Sequence, residues 1–178
     1  NFSNLMKLKK YVFTKVSSTN DIAMKKIKRG LKSGIIISSN QIRGRGRYGH
    51  KWISMKGNLF MSVFFSINTN TALKKLTSQC CTLVRKSLTE LVNIKIKIKK
   101  PNDLLINNKK ICGILQETVF FNNSKFAIIG IGVNINSSPI IKKYPTTYIN
   151  LFCKKKITIF KISNQLKKNF ETYLKTKK

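Results

Sequence analysis

The sequence predicts an α+β domain, a mixed and mostly antiparallel sheet with helices packed on it. Two observations predict it. Strand-like runs follow one another through short turns, and the helical stretches stand apart from them. No internal repeat or linker interrupts the 178 residues, a length that fits one domain spanning 1–178 and buries a core without staples.

In chain order, residues 8–16 are apolar and predict a first strand. Ser17-Ser18-Thr19-Asn20 supplies capping side chains for a helix running on from Asp21, an acid suited to the positive end of a helix. Gly30 is its expected stop. Residues 34–39 (Gly-Ile-Ile-Ile-Ser-Ser) predict a buried strand, and residues 58–67, rich in Phe and Val, a second one. Leu73, Leu76, Cys80, Leu83, Val84, Leu88 and Leu91 recur every three or four residues, as on an amphipathic helix. Ile94, Ile96 and Ile98 alternate with lysines, predicting a half-buried strand. Pro101-Asn102-Asp103 turns the chain, and residues 103–106 extend it again. Asn107-Asn108-Lys109 and residues 121–124 then mark turns around strands at 111–120 and 125–134. Pro139 and Pro145 mark a loop. Ile159, Ile162, Leu166, Phe170 and Leu174 predict a terminal helix.

Composition narrows the chemistry. Thirty-six Lys and Arg against five acids give a net charge of +31. A nucleic-acid partner is one reading of that charge. Compositional drift is the more economical one, because lysines occur in every segment. With 42% apolar residues the chain is not a disordered polycation. Its apolar runs are far too short for a membrane span. The N-terminus lacks a secretory core and begins at Asn1, so a trimmed chain is expected. Cys80, Cys81, Cys112 and Cys153 form no C-x-x-C pair, which suits reduced thiols and a cytoplasmic location. Asp21, Glu90, Asp103, Glu117, Glu171 and the single His50 are too few for a dedicated zinc site or a two-carboxylate glycosidase. Chemistry must come from Lys, Arg, backbone amides and a phosphate-bound Mg²⁺.

Residues 41–52 concentrate that chemistry: Gln-Ile-Arg-Gly-Arg-Gly-Arg-Tyr-Gly-His-Lys-Trp. Glycines let backbone approach a ligand, arginines pair with phosphate or carboxylate, and Trp52 offers a flat wall. Gly44, Gly46 and Gly49 match a dinucleotide fingerprint in form only. No helical period follows, and no acid lies between Asp21 and Glu90.

Five motifs occur in order: Ser17-Ser18-Thr19-Asn20; Gln41-x-x-Gly-Arg-Gly-Arg-x-Gly-x-x-Trp52; Lys99-x-Pro-Asn-Asp103; Lys110-x-x-Gly-Ile-Leu-x-Glu117; Gly130-x-Gly-x-Asn134. This series, covering residues 11–136, resembles the catalytic domain of the biotin protein ligases, whose fold is class II synthetase-like. The resemblance implies formation of biotinyl-5′-AMP from biotin and ATP with Mg²⁺. Transfer to a lysine of a biotin carboxyl carrier domain, such as that of acetyl-CoA carboxylase, would follow. It implies that Ser18, Thr19, Asn20 and Gln41 recognise the biotin head group, and that Gly44, Arg45, Gly46 and Arg47 close over biotin and adenylate. Lys110 matches the lysine that meets the reacting carboxylate and phosphate, and Gly113 a point of close backbone approach to biotin. Trp52 matches an adenine-side aromatic. Arg47, Asn102, Asp103, Lys110 and Asn134 match nucleotide positions, with Asp103 metal-associated through phosphate-bound Mg²⁺. Arg45, Arg47 and Lys110 are the expected catalytic cations, able to offset repulsion between carboxylate and phosphate.

The series departs from the family pattern in two places. Lys100 stands where the family usually has Trp, which removes apolar wall beside the biotin site. His50 stands where arginine is frequent, which removes a charge near neutral pH. An N-terminal helix-turn-helix and the family's small C-terminal β-domain are expected to be absent, so DNA-directed regulation is not expected. A lipoate or octanoate ligase of the same fold, and a degenerate biotin- or nucleic-acid-binding module, are the competing readings.

Overall fold

A computed structural model describes residues 7–177; of the single domain expected over 1–178, residues 1–6 and 178 lie outside the described residues. One seven-stranded sheet forms the body. Its strands are β1 Lys10–Phe13, β2 Ser33–Ser38, β3 Leu59–Ile67, β4 Lys97–Lys99, β5 Asp103–Ile106, β6 Lys109–Phe121 and β7 Ser124–Val133. They lie in the order β1-β2-β3-β7-β6-β5-β4, with β1 parallel to β2 and every other pair antiparallel. The three helices are α1 Thr19–Lys28, α2 Leu73–Thr89 and α3 Ile159–Lys175. The α+β expectation holds.

Alternation along the strands explains the layering. Ile35, Met61, Val63, Ile129 and Ile131 point to the face covered by α2 and α3, within a core that includes Leu76, Val84, Leu166 and Phe170. Ile36, Phe64 and Ile128 point the other way, onto Ala23 and Ile27 of α1. Central strands therefore read as continuous apolar runs because both faces are covered. On the α1 face the cover is short. Beyond Phe126 and Ile128, the next two β7 residues of that face are Gly130 and Gly132, and β6 contributes Gly113. The missing side chains leave a trough in the sheet.

Helix ends follow their chemistry. Ser18 caps α1, its Oγ accepting from the Asp21 N–H at 3.1 Å. Gly30, with φ +90°, ends the helix as the glycine stop expected: its N–H donates to Ile27 and that of Leu31 to Lys26. Thr158 caps α3 through Lys161 N–H. The turns at Asn107-Asn108 and Asn122-Asn123 each place two consecutive asparagines at positive φ, the geometry of tight hairpins.

Two strands are shorter than expected. The first spans only Lys10–Phe13, because the chain leaves β2 after Ser38 and rejoins it at an isolated Val16–Gln41 bridge. The run at 94–98 yields only Lys97–Lys99. As an edge strand it pairs with β5 over three residues, while Ile94 and Ile96 pack into the core beneath α2.

Asn58 fastens the chain at the end of β3. It is 2% exposed, and its Oδ1 accepts from the backbone N–H of Ile135, Asn136 and Ser137 at 2.9, 3.0 and 3.4 Å. Asn58→Ala orphans those donors and is expected to cost about 2–3 kcal/mol, read as a lowered denaturant midpoint at unchanged m-value.

All four cysteines are free. Burial pushes Cys80 up to about 12 and Cys81 up to about 11, raises Cys112 well above the ordinary thiol value, and raises Cys153. Thiols so shifted stay protonated at neutral pH and react slowly. Iodoacetamide at pH 7.5 is expected to label Cys153 first and slowly, and the other three only after denaturation, as mass analysis would show.

Candidate active site

The trough on the α1 face is a cavity of about 680 Å³. One end is built by the start of α1. Ser18, Thr19 and Asn20 are each 3% exposed. The Thr19 N–H donates to Gln41 Oε1 at 2.8 Å, and the Thr19 hydroxyl, 3.3 Å from the same oxygen, turns its proton to Ser62 Oγ. Ser62, fully buried on β3, places its Oγ 2.5 Å from Asn20 Oδ1 and 2.7 Å from Thr19 Oγ1. Asn20 Oδ1 can only accept, so the Ser62 proton goes there. Gly130 makes this packing feasible: a Cβ there would stand 2.7 Å from Asn20 Oδ1.

Arg45 reaches down from the glycine-rich loop into this end. Its NH1 donates to Asp21 Oδ1 at 2.7 Å and to Ser18 Oγ at 3.2 Å. Its NH2 donates to Glu117 Oε2 at 2.9 Å and Oε1 at 3.2 Å. Asn20 Nδ2 donates to the same Glu117 Oε2 at 2.7 Å. Partial burial pushes the Asp21 carboxyl up, but its bonds to Arg45, Ser17 and Ser18 outweigh this and leave it below the usual carboxylate range. Burial likewise lowers Arg45, and its two carboxylate partners more than reverse it. A lowered Asp21 adds stability above its unfolded value near pH 4, lost as pH falls through the folded value, so the cluster stays intact at neutral pH.

The loop is closed on itself by backbone hydrogen bonds. Gly46 N–H donates to His50 O at 2.7 Å, and Trp52 N–H to Gly44 O at 2.9 Å. Between them Arg47–Gly49 forms a 3-10 turn, with Tyr48 at φ +54°. Arg47 stacks on the Tyr48 ring at 4.7 Å and donates to its hydroxyl at 2.8 Å, exposed at the mouth.

The other end centres on Lys110. Its Nζ lies 2.9 Å from Asp103 Oδ1, an ion pair whose angle does not make a hydrogen bond. The rings of Trp52 and Tyr144 lie 5.5 and 5.0 Å from the same ammonium. Trp52 lies flat over Gly113 and Gly132. Its Nε1 is buried without a partner among the described residues. Asn102 Nδ2 donates to Ile114 O at 2.7 Å, which fixes the turn before Asp103.

Twelve of the fourteen expected site residues line this one cavity. Gly44 lies under the loop, where a Cβ would meet Trp52 O at 2.7 Å. Asn134 is buried away from the cavity; its Nδ2 donates to Thr147 O at 3.2 Å and lies 3.5 Å from Lys110 O, stitching the 146–147 segment to β6. Lys100 is exposed and outside the lining. His50 is exposed at the mouth. Sequence reasoning missed Ser62 and Tyr144, placed Gly130 and Gly132 in a motif without giving them a role, and read Asp21 as a helix-start acid alone. Period-two alternation from Gly113 through Leu115 would have put Glu117 on the cavity face.

Fold and cavity together have the class II synthetase-like architecture, with a polar end and a cationic end in one trough. A family model, the Biotin/lipoate A/B protein ligase family, matches residues 12–134, and the chain belongs to that family. Among solved structures, it is similar to the Leishmania major biotin protein ligase in complex with biotinyl-5-AMP, at TM-score 0.82 and 25% identity. That match covers 94% of this chain and 75% of the other. It is similar also to the Aquifex aeolicus biotin protein ligase in complex with biotin and ATP, at TM-score 0.77, 26% identity, and 94% and 70% coverage. Among curated proteins, the Bacillus subtilis bifunctional ligase/repressor BirA is 35% identical over 130 residues, 70% of this chain and 39% of that protein. The Paracoccus denitrificans biotin–[acetyl-CoA-carboxylase] ligase is 30% identical over 136 residues, 72% of this chain and 55% of that protein. The chain thus spans about two fifths of the length of BirA and about half that of the Paracoccus enzyme.

Proposed function

We propose that this chain joins biotin to ATP, forming biotinyl-5′-AMP, and passes the biotinyl group to a lysine of a carboxylase carrier domain. One observation carries the reading. A single trough brings neutral donors and acceptors from α1 and Gln41 to one end and Lys110 to the other, with Arg47 at its mouth. A cyclic urea, with one acceptor oxygen and two N–H donors, suits Ser18, Thr19, Asn20 and Gln41. A carboxylate extended along the glycine floor then reaches the cationic end.

There a carboxylate oxygen bonds to the α-phosphorus, the bond to the β-phosphate breaks, and pyrophosphate leaves. Two anions meet in this step. Lys110 and Arg47 offset their repulsion and stabilise the charge that builds. Trp52 and Asn102 border the space for the nucleotide. In the second step a neutral lysine amine bonds to the acyl carbon and AMP departs. The glycine-hinged loop keeps water from the mixed anhydride in between.

No group of three or more metal-binding side chains occurs among the described residues. Asp103, already paired with Lys110, is the one carboxylate at the cationic end. Mg²⁺ therefore fits as an ion carried by the ATP phosphates, with Asp103 beside it, where it would neutralise phosphate charge. A lipoyl chain lacks the urea and would leave the polar end unpaired, which disfavours the lipoate reading. Among the described residues no helix is long and apolar enough to cross a membrane. With four free thiols, we place the reaction in the cytoplasm.

The test is to incubate the pure chain with biotin, Mg-ATP and an acceptor carrier domain, with lipoate in a parallel tube. Biotinyl-5′-AMP and a biotin-sized mass gain on the acceptor are expected. Neither product, where a control ligase gives both, sinks the reading; binding of RNA or DNA without adenylation would favour the binding module.

A further inference from the structure

Three of the chain's five acids, Asp21, Asp103 and Glu117, stand around this trough. Asp21 also serves a helix start and Asp103 follows a turn. Glu117 lies in mid-strand on β6, where neither need applies. Its carboxylate instead receives hydrogens from two distant stretches: Asn20 Nδ2 at 2.7 Å, and Arg45 NH2 at 2.9 and 3.2 Å.

A carboxylate can only accept, and this decides how the Asn20 amide lies. Nδ2 must face Glu117, so Oδ1 must face Ser62. Ser62 cannot make that choice, because a hydroxyl accepts from an NH2 as readily as it donates to a carbonyl. Remove the carboxylate and the amide is free to turn over, exchanging donor and acceptor at the end of the trough. Arg45 cannot take Glu117's place, since a guanidinium only donates. With Asp21 on one side and Glu117 on the other, Arg45 tethers the loop to α1 and β6, and its charge is cancelled there.

We propose that Glu117 is a positioning residue for head-group recognition: it fixes the hydrogen-bond polarity of Asn20, and thereby the fit to a cyclic urea. Arg45 is its structural companion and tethers the loop. This rests on the function proposed above.

Calorimetric titration with biotin alone, without ATP, tests it. Glu117→Gln keeps the shape but forces a conflict. If its carbonyl faces Asn20, its NH2 faces the Arg45 guanidinium; if reversed, the Asn20 amide loses its acceptor. The Kd for biotin is expected to rise roughly tenfold or more. Asp21→Asn weakens the tether but leaves the Asn20 amide partnered, and should change Kd less than about threefold by the same reasoning. In an Asn20→Ala background, Glu117→Gln should add less than about threefold, because its effect passes through Asn20. Should Glu117→Gln fail to fold, Glu117→Asp decides: its retracted carboxylate should raise Kd more than about threefold. Wild-type-like binding by the Glu117 variant that folds, or an undiminished effect in the Asn20→Ala background, overturns the proposal alone. Absence of biotin binding by the wild-type chain overturns it together with the function it rests on.

Discussion

Lys110→Ala is expected to slow formation of biotinyl-5′-AMP by about 10²- to 10³-fold, the usual loss when one donor to a developing charge is removed. Pyrophosphate release in a single turnover measures it. The substitution has a second consequence. Lys110 and Asp103 are mostly buried, with side chains 14% and 24% exposed. Truncating the lysine leaves a carboxylate without its partner, which costs about 1–3 kcal/mol of stability. The two effects separate in Lys110→Ala/Asp103→Asn. Removing the orphaned charge should restore most of the stability and none of the rate. Recovery of both would mean that Lys110 serves the fold and not the phosphate.

Gly132→Ala is expected to dislodge Trp52. A Cβ on Gly132 would stand 2.5 Å from Trp52 Cε2 and 2.7 Å from Cζ2, while a Cβ on Gly113 would meet Cζ3 at 2.8 Å. The indole is a rigid plate held over both glycines, so it cannot yield by a small rotation. Overpacking of this kind costs about 1–3 kcal/mol. Trp52 is the only tryptophan, so its emission reports the displacement directly. A red shift on freeing the ring is expected, with weakened ATP binding. Gly30→Ala serves as the control. No atom lies within 4 Å of its Cβ, but its φ of +90° makes alanine strained. It should cost about 1 kcal/mol and leave the emission unchanged. An unshifted spectrum in Gly132→Ala would refute the packing described.

The chain's scarcest side chains acquire meaning together. Asp21 and Glu117 hold Arg45, and Asp103 holds Lys110. Glu90 accepts from Asn169 at 2.9 Å between α2 and α3, and Glu171 accepts the Leu8 N–H at 2.7 Å. Every acid is engaged, and most of the other cations among the described residues lie at exposed or half-buried positions without a carboxylate partner. That distribution fits lysine drift confined to solvated positions.

Most of the fold was legible in the order of residues. Periods of two and of three to four marked the strands and helices. Ser18 and Gly30 marked the ends of α1, and paired asparagines marked both hairpins. That most of the site's residues would meet in one cavity was legible as well, because five motifs in order resembled one family. Its internal wiring was not. Arg45 is expected from the motif as a catalytic cation of the closing loop, and the fold ties it between two carboxylates. Asn134 read as a nucleotide contact, yet it is turned to backbone carbonyls outside the cavity. Strand shortening at residues 94–98 also escaped, since edge pairing depends on a neighbour's length. The physical reason is range. Secondary structure is set by residues two to four positions apart, which the sequence displays side by side. Which acceptor meets Arg45, and which way Asn20 faces, depends on strand order and register. Those bring residues 20, 45, 62 and 117 within 3 Å of one another's polar partners only after the sheet has formed.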